Sequence, residues 1–211
     1  MKKSSRTKLR APEFGELEDY VPSLFAESHM EQILARDQSF SFSDDTLILR
    51  ECHFIGCEIT GSCAGSELID VLFERCDLSN VSFFRSSFRR VRFSACRLVG
   101  CDFSECGFQD FEVTDSTAVL SNWSASSFTN ARFANTRLNE SAFSSVKSKG
   151  LVFDDCDLSK ADLFHMPLAE IDLSSDIIDG ITTDAESLRC VAVSAQQAIL
   201  LAGLLGIHVR E

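Results

Sequence analysis

Apolar side chains recur at every fifth residue along more than half of this 211-residue chain. Counted from Phe73 the series runs Phe73, Leu78, Phe83, Phe88, Phe93, Leu98, Phe103, Phe108, Val113, Ala118, Trp123, Phe128, Phe133, Leu138, Phe143, Ser148, Phe153, Leu158, Leu163, Leu168, Leu173, Ile178. Only Ser148 breaks it, so Lys147-Ser-Lys149 marks the weakest point of the pattern, where a ring at 148 should be tolerated. Two residues before each member, Val, Cys, Ser, Ala or Thr fill 17 of the 22 places, which defines a second inward position that must be small. A helix would spread a five-residue period around its whole surface, and a flat strand would flip it between faces. A chain that turns a corner every five residues buries both positions in one axial core. Four such units close a square coil, residues 20 apart stack directly, and strands ~4.8 Å apart allow ring-on-ring ladders. Each buried ring then contributes about 1.5–3 kcal/mol. The predicted fold is an all-β solenoid, a quadrilateral β-helix of about six and a half coils and ~30 Å in length at that spacing.

A weaker copy of the rhythm in a shifted phase (Leu49, Phe54, Ile59, Ala64) precedes Phe73, which places a one-residue slip between Ala64 and Phe73. The rhythm divides the chain into an N-terminal tail and cap over 1–48, the β-helix over 49–180, and a C-terminal cap and helix over 181–211. The basic start, Met1 to Arg10, reads as a frayed tail rather than a secretory signal, since no apolar segment follows it. Ser28 and Glu31 predict a short helix that holds Met30, Ile33 and Leu34, and Phe40-Ser-Phe42 alternates like a strand. At the other end Ser194-Ala-Gln-Gln197 has the form of a capping box and opens a helix over Ala195 to Leu205. Its apolar residues Ile199, Leu200, Leu201, Leu204 and Leu205 exceed what one face can carry. One side can plug the last coil, and the other is expected to pair with its own copy about a two-fold axis.

Net charge is −12, unevenly spread: −3 over residues 1–48, +1 over 49–97 and −9 over 98–180. Asp102, Glu105, Asp110, Glu112, Asp115, Glu140, Asp154, Asp155, Asp157, Asp162, Glu170, Asp172, Asp176 and Asp179 carry the acidic part. Most of these are expected to point outward, since the core slots are taken. A rod with regularly spaced negative charge resembles duplex DNA electrostatically, while ordinary solvation is the plainer use of such charge. The same field argues against direct nucleic-acid binding, and cross-stacked pairs such as Asp77 with Arg97 and Arg137 with Asp157 account for part of the arginine pattern.

Nine cysteines raise the question of metals and disulfides. Cys52, Cys57, Cys76, Cys96, Cys101, Cys106 and Cys156 fall at the small inward position, where a free thiol behaves as a small hydrophobe. Cys76 and Cys96 stack within disulfide reach, which a reducing compartment would leave unused. Cys96, Cys101 and Cys106 lie on three different walls and cannot converge on one ion, and no Cys–His spacing matches a zinc site. No metal or cofactor is expected. Nor is an enzyme, because the chain has no Ser-His-Asp spacing and no Gly-rich phosphate loop. Paired carboxylates such as Asp154-Asp155 would lie on a convex surface. No 18-residue apolar run could span a membrane.

Units such as Cys76-Asp-Leu78, Cys101-Asp-Phe103, Cys156-Asp-Leu158 and Ala161-Asp-Leu163 resemble the pentapeptide-repeat family over about Leu49 to Ile178. That resemblance implies a right-handed four-sided β-helix. The length, the cap before the first coil and the apolar helix near Val193 to Ile207 look like the quinolone-resistance (Qnr) branch, especially its Gram-positive chromosomal members. Members of that branch are cytoplasmic dimeric rods that bind DNA gyrase and topoisomerase IV as DNA mimics, and they inhibit the enzyme or protect it from fluoroquinolones. The resemblance therefore implies a topoisomerase-facing acidic surface and a C-terminal dimer helix. Many Gram-negative members carry two projecting loops, for which the register from Phe73 to Ile178 leaves no room. Immunity to a topoisomerase-poisoning natural product, or a scaffold for an unrelated protein partner, are the alternatives on the same fold.

Overall fold

The computed structural model describes residues 8–21, 28–43 and 46–209, so part of the basic tail expected to fray (residues 1–7) lies outside the described residues. The body is a parallel β-solenoid. Strands β1 (Glu18–Asp19), β2 (His29–Glu31), β3 (Ile33–Arg36) and β4 (Ser39–Phe42) precede seven longer or paired ones. These are β5 (Ile48–Ile55), β6 (Glu58–Gly61), β7 (Glu67–Glu74), β8 (Ser87–Ser94), β9 (Gly107–Thr114), β10 (Ser127–Ala134) and β11 (Lys147–Asp154). One helix, α1 (Ala195–Leu204), ends the chain. The long strands stack in the order β5-β7-β8-β9-β10-β11. Phe73 lies on Phe93 and Phe108 on Phe128, so the spacing is the predicted 20 residues.

Four walls follow from the corners. A residue in the left-handed region turns the chain every five positions, as at Asp70, Arg75, Asn80, Arg85 and Arg90. The first half of each long strand forms the first wall and its second half the second. Single bridges Asp77–Arg97–Thr117–Arg137–Asp157 trace the third wall, and Ser82–Asp102–Asn122–Ala142–Asp162 the fourth. Ring ladders fill the interior: Phe54, Phe73 and Phe93 stack at 5.0 and 4.8 Å, and Phe103 lies 4.2 Å from Trp123. Phe111 is the one ring in the small slot of the repeat, and the residue in register with it on the next strand, Ala131, is small. Small-slot hydroxyls also serve the backbone. Ser116 Oγ accepts the Cys96 N–H at 2.9 Å, and Ser121 Oγ accepts the Trp123 indole at 2.7 Å.

Eight of the nine cysteines are buried and none is in a disulfide. Burial pushes the Cys101 and Cys106 thiols up to about 12, so they stay protonated and pack as apolar groups. Among the described residues no cluster of His, Cys, Asp or Glu could hold a metal ion. No described helix is long and apolar enough to cross a membrane.

Three local expectations need correction. Residues 29–36 form β2 and β3 rather than a helix, with Met30, Ile33 and Ala35 buried. The open lower edge of β5 needs strand partners, and β2 and β3 supply them beneath its two halves, which outweighs the local helical pattern. The slip lies between Ile59 and Cys63, earlier than the sequence suggested. Phe54 stacks on Phe73 at a spacing of 19, but Ser62 already stacks on Ser82 at 20, and Cys63 rather than Ala64 points inward. Gly61 absorbs the missing residue at φ 98°, where a Cβ would fall 1.8 Å from the Phe42 carbonyl oxygen. Finally, Ser148 is in register with Phe128 yet exposed. In the coils below, Ser127 donates to Cys106 O and Lys147 to Ser126 O. Pro167 stands where the next such N–H belongs, so the following coil does not pair with β11 and a ring at 148 would meet solvent.

Candidate functional site

The candidate site is the outer surface of the rod, where the acidic residues lie. The acidic residues expected to face a partner divide into three groups. Asp110 is 7% exposed and lies beneath an N-terminal strap. This strap, residues 8–15, runs along the edge between the first and second walls. Arg10 N–H donates to Asp110 at 3.3 Å, Glu13 N–H to Asp70 at 3.0 Å and Gly15 N–H to Glu51 at 2.8 Å. Asn130 also donates to Asp110, and Arg90 grips Asp70 through two bonds of 2.6 and 2.5 Å. Asp110 is therefore a strap anchor, not an outward charge. Asp176 departs from the outward expectation too, since it fills a core slot at 6% exposure.

A second group is outward but paired. Glu112 lies between Arg92 (3.2 Å) and Arg132 (3.3 Å), and Arg132 also reaches Asp154 at 2.6 Å. Glu105 pairs with Arg85 at 2.8 Å and Glu140 with Lys160 at 3.6 Å. Exposed pairs of this sort add about 0–1 kcal/mol each, and they cancel local field.

The third group keeps its charge. Among the described residues Asp102, Asp115, Asp155, Asp157 and Asp162 form no ion pair within 4 Å, and Asp172 is exposed farther along the rod. Several are oriented by a repeated turn in which the carboxylate accepts the N–H two residues on: Asp102 from Ser104 (3.1 Å), Asp157 from Ser159 (3.0 Å), Asp162 from Phe164 (3.0 Å) and Asp172 from Ser174 (3.0 Å). Asp102 and Asp162 lie on the fourth wall. Its outward positions from Ser82 to Thr182, including Phe84, Ser104, Ser124, Ser144 and Phe164, carry no base. The third wall, by contrast, alternates Asp77, Arg97, Arg137 and Asp157.

At the C-terminus the capping box forms as read, with Ser194 N–H donating to Gln197 Oε1 at 2.7 Å. Gln197 Nε2 donates to the carbonyls of Leu173 and Asp176, each at 2.7 Å, and so closes the last coil. Leu201, counted among the pairing residues, is 7% exposed and belongs to the plug. Ile199, Leu200, Leu204 and Leu205 are exposed, with Ile207 beyond them.

The strap leaves no signal in the sequence, since residues 8–15 have no rhythm and its bonds use backbone N–H groups. Asp176 was legible in principle, because it stands two residues before Ile178 in the small slot.

Residues 66–143 match the family model of the pentapeptide repeat region. No curated protein matches the chain. Among solved structures, a trypsin-treated form of QnrB1, a plasmid-mediated fluoroquinolone resistance protein, aligns with a TM-score of 0.52 and 21% identity over 92% of this chain and 96% of that one. Full-length QnrB1 aligns with a TM-score of 0.44 and 22% identity, over 90% and 95%. HetL, a pentapeptide repeat protein involved in heterocyst differentiation regulation from the cyanobacterium Nostoc, aligns at 0.34 and 15%, over 79% and 87%. By sequence over residues 66–143 and by the coil that continues on either side of them, the chain carries a pentapeptide repeat region folded as a four-sided parallel β-solenoid.

Proposed function

We propose that the protein binds a type II topoisomerase, DNA gyrase or topoisomerase IV, in place of duplex DNA. Binding inhibits the enzyme or shields it from fluoroquinolones. The observation that carries this reading is the fourth wall, a straight face about five coils long that bears Asp102 and Asp162, while the cations at its edges, Arg85 (over the Phe84 ring) and Lys160, are each paired with another carboxylate, Glu105 and Glu140. Such a face suits a groove lined with Lys and Arg, which is what a DNA-binding enzyme offers. A fold shared with a fluoroquinolone resistance protein supports the choice of enzyme. Two rods joined through the exposed side of α1 would set two such faces end to end, with Ile199, Leu200, Leu204 and Leu205 covered in the joint. The uninterrupted register, in the manner of loop-less Qnr members, favours inhibition over active drug protection. Immunity to a natural topoisomerase poison would use the same surface.

The test is gyrase supercoiling across a titration of the protein, with and without ciprofloxacin. Either loss of supercoiling or its rescue from the drug at micromolar protein is expected. No effect in either arm, from folded protein, would rule the reading out.

A further inference from the structure

Every edge of the solenoid is turned by a residue in the left-handed region, and the edges choose accordingly. The edge between the third and fourth walls uses Asn80, Gly100, Glu140, Lys160 and Gly180. Leu120, at φ 59°, stands among them and is the one large aliphatic residue at any left-handed position of the described chain. A leucine is disfavoured in this conformation relative to glycine or asparagine. Its own burial does not compensate, because the residue is 57% exposed. Nor does the turn need it: the Leu120 N–H donates to Asn139 O at 3.0 Å, a ladder bond that any non-proline residue makes. Two costs with no return inside the fold point outside it.

The surroundings suit a contact. Gly100 precedes Leu120 on the edge, so nothing bulky stands beside it there. Val99 and Val119 hold the adjoining outward positions of the third wall, and Asp102 begins the bare acidic wall on the other side. The strap occupies the diagonally opposite edge, through Asp70 and Asp110, and leaves this one open. We infer that Leu120 is the apolar anchor by which the rod seats on its partner, a protein groove with a hydrophobic pocket set in a basic surface. The inference rests on the topoisomerase reading and assigns the contacting edge. Charge steers the approach, and one desolvated side chain at the centre of the patch supplies a disproportionate share of the affinity.

Leu120→Asn separates this from a structural role, since Asn80 shows that the same edge accepts asparagine. Melting temperature and affinity for gyrase are measured together on wild type, Leu120→Asn, Leu120→Met and, as an edge control away from the site, Ala95→Asn. The expected pattern is a melting temperature at or above wild type for Leu120→Asn, with affinity weakened about tenfold or more. Leu120→Met and Ala95→Asn should bind within about twofold of wild type. Wild-type affinity in Leu120→Asn overturns the anchor and leaves the topoisomerase reading intact. A melting temperature well below wild type overturns it too, by showing that leucine is needed by the fold. If wild type itself does not bind, the functional reading fails and the anchor falls with it.

Discussion

At position 176 a carboxylate occupies the slot that Cys96, Ser116, Thr136 and Cys156 fill in earlier coils. Its Oδ1 accepts the Cys156 N–H at 2.7 Å, whereas Oδ2 is buried with no hydrogen-bond partner. Burial pushes its ionisation up to about 6, offset in part by the Cys156 bond and reinforced by the carboxylates of Asp154, Asp155 and Asp172. An unfolded aspartate ionises near 3.8, so between these values the folded state keeps a proton that the unfolded state has lost. The contribution of Asp176 is therefore fully present below about pH 4 and falls by about 3 kcal/mol as pH rises to 6. Asp176→Asn should match wild type near pH 4 and melt higher at pH 7.5, in paired thermal scans. Equal melting temperatures at both pH values would show that the carboxyl is solvated. The five-residue count places Asp176 in the core from sequence alone. What the count cannot supply is the missing partner for Oδ2, which depends on how α1 closes the coil.

The terminal elements were less legible than the repeat. Ser194 and Gln197 announce α1 because a capping box is local chemistry, and the structure forms it. The division of its faces is tertiary: Gln197 and Leu201 turn onto the coil, and Ile199, Leu200, Leu204 and Leu205 away from it. Gln197→Ala removes half of the box and strands the carbonyls of Leu173 and Asp176. We expect a loss of about 2–4 kcal/mol in chemical denaturation; a loss under about 0.5 kcal/mol would mean that water replaces the amide freely. At the N-terminal end a helical signature at Ser28 to Glu31 yields to strand pairing, since an unpaired β5 edge costs more than a short helix returns. Pro167 acts through backbone chemistry that the five-residue count does not register. Its missing N–H ends the pairing of β11 and explains why Ser148, an outlier of the pattern, is not a hole in the core.

On the scale of the whole molecule, a single number organises the rod. Twenty residues per coil, held without insertion from the Ser62–Ser82 bridge to the Asp162–Thr182 bridge, give straight walls of fixed spacing. That number was readable because the rings that repeat it have nowhere else to be buried. The charge on the walls was readable only as a sum. Arg85, Arg92, Arg132 and Lys160 neutralise Glu105, Glu112, Asp154 and Glu140, and the strap covers Asp110. The unpaired carboxylates that remain divide between the fourth wall, with Asp102 and Asp162, and the third wall and the edge before it, with Asp157, Asp115 and Asp155. The claim that this surface stands in for a DNA duplex is tested most directly by competition. Labelled protein bound to gyrase is titrated with a linear duplex long enough to fill the enzyme's DNA-binding groove. Mutually exclusive binding is predicted, with full displacement that weakens as salt is raised. A ternary complex in which protein and duplex bind gyrase together would contradict it.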